Sequence, residues 1–164
     1  MFHQVYYVQK NYLTLVIPQI SNKMKRYKIG YTTGVFDMFH IGHLNILRRA
    51  KDICEHLIVG VTTDELCYKR KKKTPIINQY DRIKIVNAIR YVDETVFQTN
   101  MDKLDFVRKN KVEVVFVGSD WQGTPQWNTY EAEFKKYGCD VVYLKHTDNI
   151  SSSILRDIIN NQEN

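Results

Sequence analysis

From residue 27 onward, short β-branched runs alternate with segments of helical periodicity, and no repeat, low-complexity stretch or Pro/Gly-rich linker interrupts them. This alternation restricts the fold more than any other feature, because strand–helix–strand units build a parallel sheet. The spacing predicts strands at 27–33, 56–61, 94–98, 112–117 and 140–144, and helices at 42–54, 80–90, 102–109, 128–137 and 152–160. In the first helix Leu44, Leu47, Ala50 and Cys54 recur at spacings of three and four, giving one apolar stripe, while Arg48, Arg49 and Lys51 are expected on the outer face. The expected class is α/β, with a mostly parallel sheet covered by helices on both faces. Ligands are then expected in the crevice beyond the carboxyl ends of the strands.

At 164 residues and 43% hydrophobic content, the chain can bury one core without disulfide or metal support. The odd and widely spaced Cys54, Cys67 and Cys139 suggest neither a disulfide framework nor a zinc knuckle, and so a reducing compartment. No apolar run approaches the roughly 20 residues of a membrane span, and no signal peptide is evident, so a cytoplasmic protein is expected. Residues 1–26 do not fit the rhythm and are read as an N-terminal extension of unknown role before a domain at 27–164. Pro18, Ser21 and Asn22 stop the apolar segment 6–17. Met24 lies just before the first strand, which motivates the expectation that translation starts there; a native mass that includes residues 1–23 would exclude it.

The net charge of +6 is unevenly placed. Residues 1–28 hold five cations and no acid, leaving a body with 19 basic and 18 acidic residues. Within that body Lys69, Arg70, Lys71, Lys72 and Lys73 are consecutive, which suits a local anion site better than a nucleic-acid stripe. A solvated surface run is the plainer reading, but five adjacent cations repel one another and a polyanion would relieve them.

The segment YTTGVFDMFHIGHLNILRRAK, residues 31–51, carries the most chemical information. A strand ends at Gly34, a helix begins near His43, and the loop between them holds His40-Ile41-Gly42-His43. Gly42 allows close backbone approach to a phosphate, and the helix start aims free N–H groups at the same place. Two imidazoles add donors for charge that grows during phosphoryl transfer. Near the other end, Ser151 or Ser152 can cap the helix through Ile154 and Leu155, beside uncovered N–H groups suited to phosphate oxygens. Asp120 is placed just past the carboxyl end of a buried strand.

Residues 34–43 resemble the nucleotidyltransferase signature of the cytidylyltransferase family, whose His-x-Gly-His element faces the nucleotide triphosphate. Residues 146–153 resemble its second signature, Arg-Thr-Glu-Gly-Ile-Ser-Thr-Thr, with His146 in place of the arginine. The basic run resembles the family's lysine loop. Residues 118–121 resemble the Gly-Asp-Asp-Trp element of the glycerol-3-phosphate members, with Ser119 as a departure.

The resemblance implies a Rossmann-like domain in which His40, His43, Lys71 and Lys73 are catalytic. It implies nucleotide contacts from Thr33, Gly34, Val35, Phe36, Gly42, Asp120, Trp121, Thr147, Ile150, Ser151, Ser152 and Ser153. Acceptor contacts would come from Asp37, Lys71 and His146, with Lys145 as the other candidate for the arginine's part. CTP and a small phosphorylated acceptor, glycerol 3-phosphate first, are the implied substrates, with Mg2+ entering on the nucleotide and no protein metal ligand assigned. A homodimer with residues 90–93 near its interface is also implied, with no nucleic-acid or membrane partner. Three alternatives stand beside this one: a CTP-dependent cytidylyltransferase for phosphocholine, phosphoethanolamine, aminoethylphosphonate or another sugar-alcohol phosphate, an ATP-using adenylyltransferase of the same fold, and a basic nucleic-acid-binding protein using residues 1–28 and 69–73.

Overall fold

The computed structural model describes residues 26–162, so the expectations for the N-terminal extension and a start at Met24 lie outside the described residues. Five strands, β1 (Tyr27–Gly34), β2 (Cys54–Thr62), β3 (Glu94–Gln98), β4 (Val114–Gly118) and β5 (Asp140–Leu144), form one sheet in the order β3-β2-β1-β4-β5. Every neighbouring pair is parallel. The helices are α1 (Ile41–Lys51), α2 (Asp64–Lys71), α3 (Gln79–Asn87), α4 (Lys103–Lys109), α5 (Pro125–Lys135) and α6 (Ser152–Gln162), with a short 3-10 turn at Ser119–Trp121. The strand order reverses direction at β1, placing a crevice between the carboxyl ends of β1 and β4.

Alternation along the central strands divides the core into two layers. Leu57, Val59 and Val61 of β2 and Val114 and Phe116 of β4 pack with Leu47 and Ala50 of α1 and Val86 of α3. Ile58 and Val115, one residue out of phase, face the other side with Val107 of α4 and Trp127 and Phe134 of α5. Among the described residues no helix is long and apolar enough to cross a membrane.

Two expectations need correction. The basic run 69–73, expected as a loop, instead begins inside helix α2, which is capped by the Thr63 hydroxyl accepting from Leu66 N–H and ended by Lys72 at φ +53°. Lys69, Arg70 and Lys71 make its last turn, where the helix dipole favours cations, so clustered charge served a helix end. The cationic face of α1 is likewise not solvated throughout. Arg49 donates to the Lys145 carbonyl, and Lys51 reaches the Glu55 carbonyl at 2.5 Å and the Asp93 carboxylate at 2.5 Å.

Gly30 in β1 sits where any side chain would collide with the core. A Cβ there would lie 2.5 Å from the Phe116 ring and 2.7 Å from Cys54 Sγ. Gly30→Ala is expected to cost about 1–3 kcal/mol through overpacking, lowering the melting temperature by roughly 3–10 °C. Thermal unfolding checks this, and an unchanged midpoint would mean the two side chains yield freely.

Candidate active site

The loop from β1 to α1 is shaped by two bulky residues in the left-handed region, Phe36 at φ +55° and Met38 at φ +47°. Non-glycine residues held there cost on the order of 1–3 kcal/mol each, so the surroundings must impose the conformation. Phe36 is 5% exposed, and its ring lies over Gly34, where a Cβ would come within 3.0 Å of it. Between them, Asp37 is buried and fully engaged. Its carboxylate accepts from Ile76 N–H and Ile77 N–H, each at 2.9 Å, and from Arg156 Nη2 at 3.0 Å. Its backbone carbonyl accepts from the Ser152 hydroxyl at 2.7 Å.

The loop delivers His40 as the N-cap of α1, with Nδ1 accepting from Gly42 N–H at 3.1 Å. That bond leaves Nδ1 unprotonated, so neutral His40 carries its proton on Nε2. His43, one turn on, stacks on His40 with ring centroids 3.9 Å apart and planes tilted by 25°. Phe36 and Phe39 flank His43 at 5.2 and 5.5 Å between ring centroids. Burial, reinforced by His40 and only partly opposed by Asp37, pushes the His43 pKa down to about 3. Burial also lowers that of His40. His40 Nε2 and His43 Nδ1 are both buried without a hydrogen-bond partner. An unmet buried polar atom costs about 1–3 kcal/mol, a penalty that a ligand oxygen or a hydroxyl can remove.

A cleft of about 290 Å³ opens beside this pair. Val35, Phe36, Asp37 and His43 line one wall, Lys71, Lys73 and Cys67 another, and Ser152, Ser153 and Arg156 a third. Of the basic run, Lys71 and Lys73 face the cleft, whereas Lys69 pairs with Glu65 at 2.5 Å and Lys72 lies 5.8 Å over the Tyr68 ring. Ser151 caps α6, its hydroxyl accepting from Ile154 N–H at 3.1 Å.

The remaining expected residues lie along the same carboxyl edge but do not line this cleft. His146 Nε2 meets Asp120 Oδ1 at 2.7 Å, with both side chains about half exposed. A Cβ on Gly118 would lie 2.5 Å from both groups, so a side chain there would have to displace them. Trp121 is 38% exposed beside them. Thr147 accepts from Asn45 of α1 at 3.0 Å, and the Ile150 methyl lies 3.4 Å from where a Gly42 Cβ would stand. Lys145 is exposed, and Thr33, the next-to-last residue of β1, pairs with Gly60 of β2.

Three residues were not anticipated. Arg82 is fully buried and donates to the Ile77 carbonyl at 2.8 Å, to the Val35 carbonyl, and to Asp64 Oδ1 at 2.5 Å. Arg156 joins Asp37 to the Thr74 carbonyl at 3.2 Å. Its position four residues after Ser152 was an available signal, because both side chains leave one face of α6. Lys103, 6% exposed at the start of α4, gives its backbone N–H to the Met101 carbonyl at 2.9 Å, and burial brings the pKa of its ammonium down to about 8. Nothing in the local sequence marks it.

The cytidylyltransferase-like family model matches residues 31–158. A glycerol-3-phosphate cytidylyltransferase of Bacillus spizizenii is 35% identical over 127 residues, covering 76% of this chain and 92% of that one. An FAD synthase of Pyrococcus abyssi is 39% identical over 101 residues, covering 61% and 66% respectively. Among solved structures, the lipopolysaccharide core biosynthesis protein of Thermoplasma volcanium superposes with a TM-score of 0.61 at 24% identity, over 73% of this chain and 96% of that one, a likeness of fold. The chain belongs to the cytidylyltransferase-like family and is a nucleotidyltransferase.

An unfolded chain protonates His43 near pH 6.5, whereas the folded chain resists until about pH 3. The unfolded state therefore binds more protons in that window, and acidification through it destabilises the fold. His43→Gln is expected to flatten the fall of the urea midpoint between about pH 6.5 and pH 4. An unchanged slope would mean that His43 takes up its proton in place.

Proposed function

We propose that this chain transfers the CMP unit of CTP to a small phosphorylated alcohol, glycerol 3-phosphate first, giving CDP-glycerol and pyrophosphate. The observation that carries the reading is the stacked imidazoles at the α1 start, of which His43 faces Lys71, Lys73 and the α6 start across one cleft. Similarity to glycerol-3-phosphate cytidylyltransferases supports the choice of nucleotide and acceptor.

An ionised acceptor phosphate oxygen attacks the α-phosphorus as the bond to the β-phosphate bridging oxygen breaks. No general base is required, so catalysis comes from positioning and charge neutralisation. His40, fixed as the Nε2–H tautomer, donates to a phosphate oxygen, and His43 donates from its protonated ring nitrogen. Lys71 and Lys73 offset charge building toward pyrophosphate, and the α6 start with Ser151, Ser152 and Ser153 holds the triphosphate. Gly42, Thr147, Ile150, Asp120 and Trp121 form the remaining nucleotide wall, with His146 at the acceptor side. Asp37 shapes the centre through its bonds to the surrounding backbone.

Magnesium enters on CTP through phosphate oxygens and water, as its size and hydration favour. Among the described residues no group of three or more His, Cys, Asp or Glu side chains is placed to hold a metal ion. The reading includes a homodimer with residues 90–93 near its contact. A second reading, adenylyl transfer from ATP, is favoured by the similarity to FAD synthases.

The test is pyrophosphate release with magnesium and CTP, or ATP, against glycerol 3-phosphate, phosphocholine, phosphoethanolamine, aminoethylphosphonate, sugar-alcohol phosphates and FMN. Release with CTP and glycerol 3-phosphate is expected, and release only with ATP would replace the reading. In the active pair His43→Ala is expected to lower kcat on the order of 100-fold with a smaller change in KM for CTP. Unchanged turnover would remove His43 from the chemistry.

A further inference from the structure

We propose that Arg156 is a positioning residue that sets the cleft lysines by clamping the backbone beside Lys73 to the β1–α1 loop. The kinetic part of the proposal rests on the nucleotidyl-transfer reading; its structural part does not.

The segment at 72–78 joins α2 to α3 and carries Lys73 into the cleft. It is held at two stations. At the far station Arg82 takes the Ile77 carbonyl, while Ile76 and Ile77 give their N–H groups to the Asp37 carboxylate. At the near station, one residue from Lys73, Arg156 Nη2 takes the Thr74 carbonyl at 3.2 Å while the same nitrogen holds Asp37 Oδ2 at 3.0 Å. Cys67 Sγ also reaches the Lys73 carbonyl at 3.5 Å, and a thiol is a weak donor. Lys72 N–H closes α2 on the Tyr68 carbonyl at 2.9 Å, so without Arg156 the backbone from Lys73 to Pro75 is held at its two ends but loses its bond to the β1–α1 loop and α6.

The clamp also works against a force. Lys71, Lys73 and Arg156 line one cleft wall to wall, and their repulsion drives the lysine segment away from α6. Asp37, with its side chain 6% exposed, offsets that repulsion at one point and is itself held by Ser152 from the same helix. Arginine suits the task because one planar nitrogen directs two N–H groups at two fixed acceptors, which an ammonium on a flexible stem does less well. Arg156 thereby converts the placement of α6, where the triphosphate is proposed to sit, into the placement of Lys73.

Hydrogen–deuterium exchange on the ligand-free full chain tests the clamp without any assay. In Arg156→Met the amides of Ile76 and Ile77 are expected to exchange at least fivefold faster, with peptides from β1 and β2 unchanged and Arg156→Lys in between. Should β1 and β2 also exchange faster in the methionine variant, Arg156→Lys decides: faster exchange at 76 and 77 alone supports the clamp, and no change there overturns it. In the active pair, Arg156→Met should lower kcat at least tenfold with KM for CTP within threefold. Adding it to Lys73→Met should cost less than a further twofold. Fully multiplicative losses would make Arg156 an independent phosphate ligand and overturn the proposal. An inactive wild-type chain would instead remove the nucleotidyl-transfer reading, while the exchange result would still stand on its own.

Discussion

The Asp37 carboxylate is the interaction on which the rest of the site depends. It is buried, and burying an anion is tolerated only when each oxygen is matched. Two backbone N–H groups and one guanidinium supply that match, and they come from segments about 40 and 119 residues away in sequence. One side chain thus fixes the relative position of the histidine loop, the lysine segment and α6. Arg82 does the same from the other side, gathering Val35, Ile77 and Asp64 around a fully buried guanidinium. Arg156 and Asp64 each keep about a third of their side chain in water, so losing one of them leaves the buried partner, Asp37 or Arg82, short of a match while its backbone partners remain.

This bracing explains how the β1–α1 loop keeps an unfavourable backbone. Phe36 and Met38 hold positive φ on either side of Asp37, and release of the carboxylate would let both relax. The strained turn is what brings His40 to the helix start with His43 stacked beneath it. Close stacking and burial then keep the rings neutral and their outward nitrogens unmet. Conformational strain, low proton affinity and absent partners have one origin, the tight packing of a polar loop over the sheet edge.

Much of the fold was legible in the sequence because parallel strands buried on both faces must read as β-branched runs, and the crossover helices show their own period. All five strands fall where the runs lie, with ends shifted by at most a few residues. Helix α2 was hidden because its residues 64–71 are mostly charged and only Leu66 and Cys67 are buried, so no apolar stripe announces it. His40, Gly42 and His43 were legible because donors and glycine concentrate within four residues at one helix start. Asp37 could be named but not its partners, since Arg156, Thr74, Ile76 and Ile77 meet it only through tertiary contact. Lys103 was invisible for a simpler reason: a lysine at a helix start ordinarily faces water, and only the packing buries it.

His40 holds two offices at once. Its Nδ1 starts α1, and its Nε2–H is left for a ligand. Serine or aspartate would start the helix better and bring no ring, whereas an aromatic residue would restore the stack and lose the cap. Asparagine can cap and keep an N–H but has no ring to cover His43. Drift at position 40 therefore has no neutral neighbour to pass through, and a lineage that leaves histidine there must rebuild helix start and chemistry together.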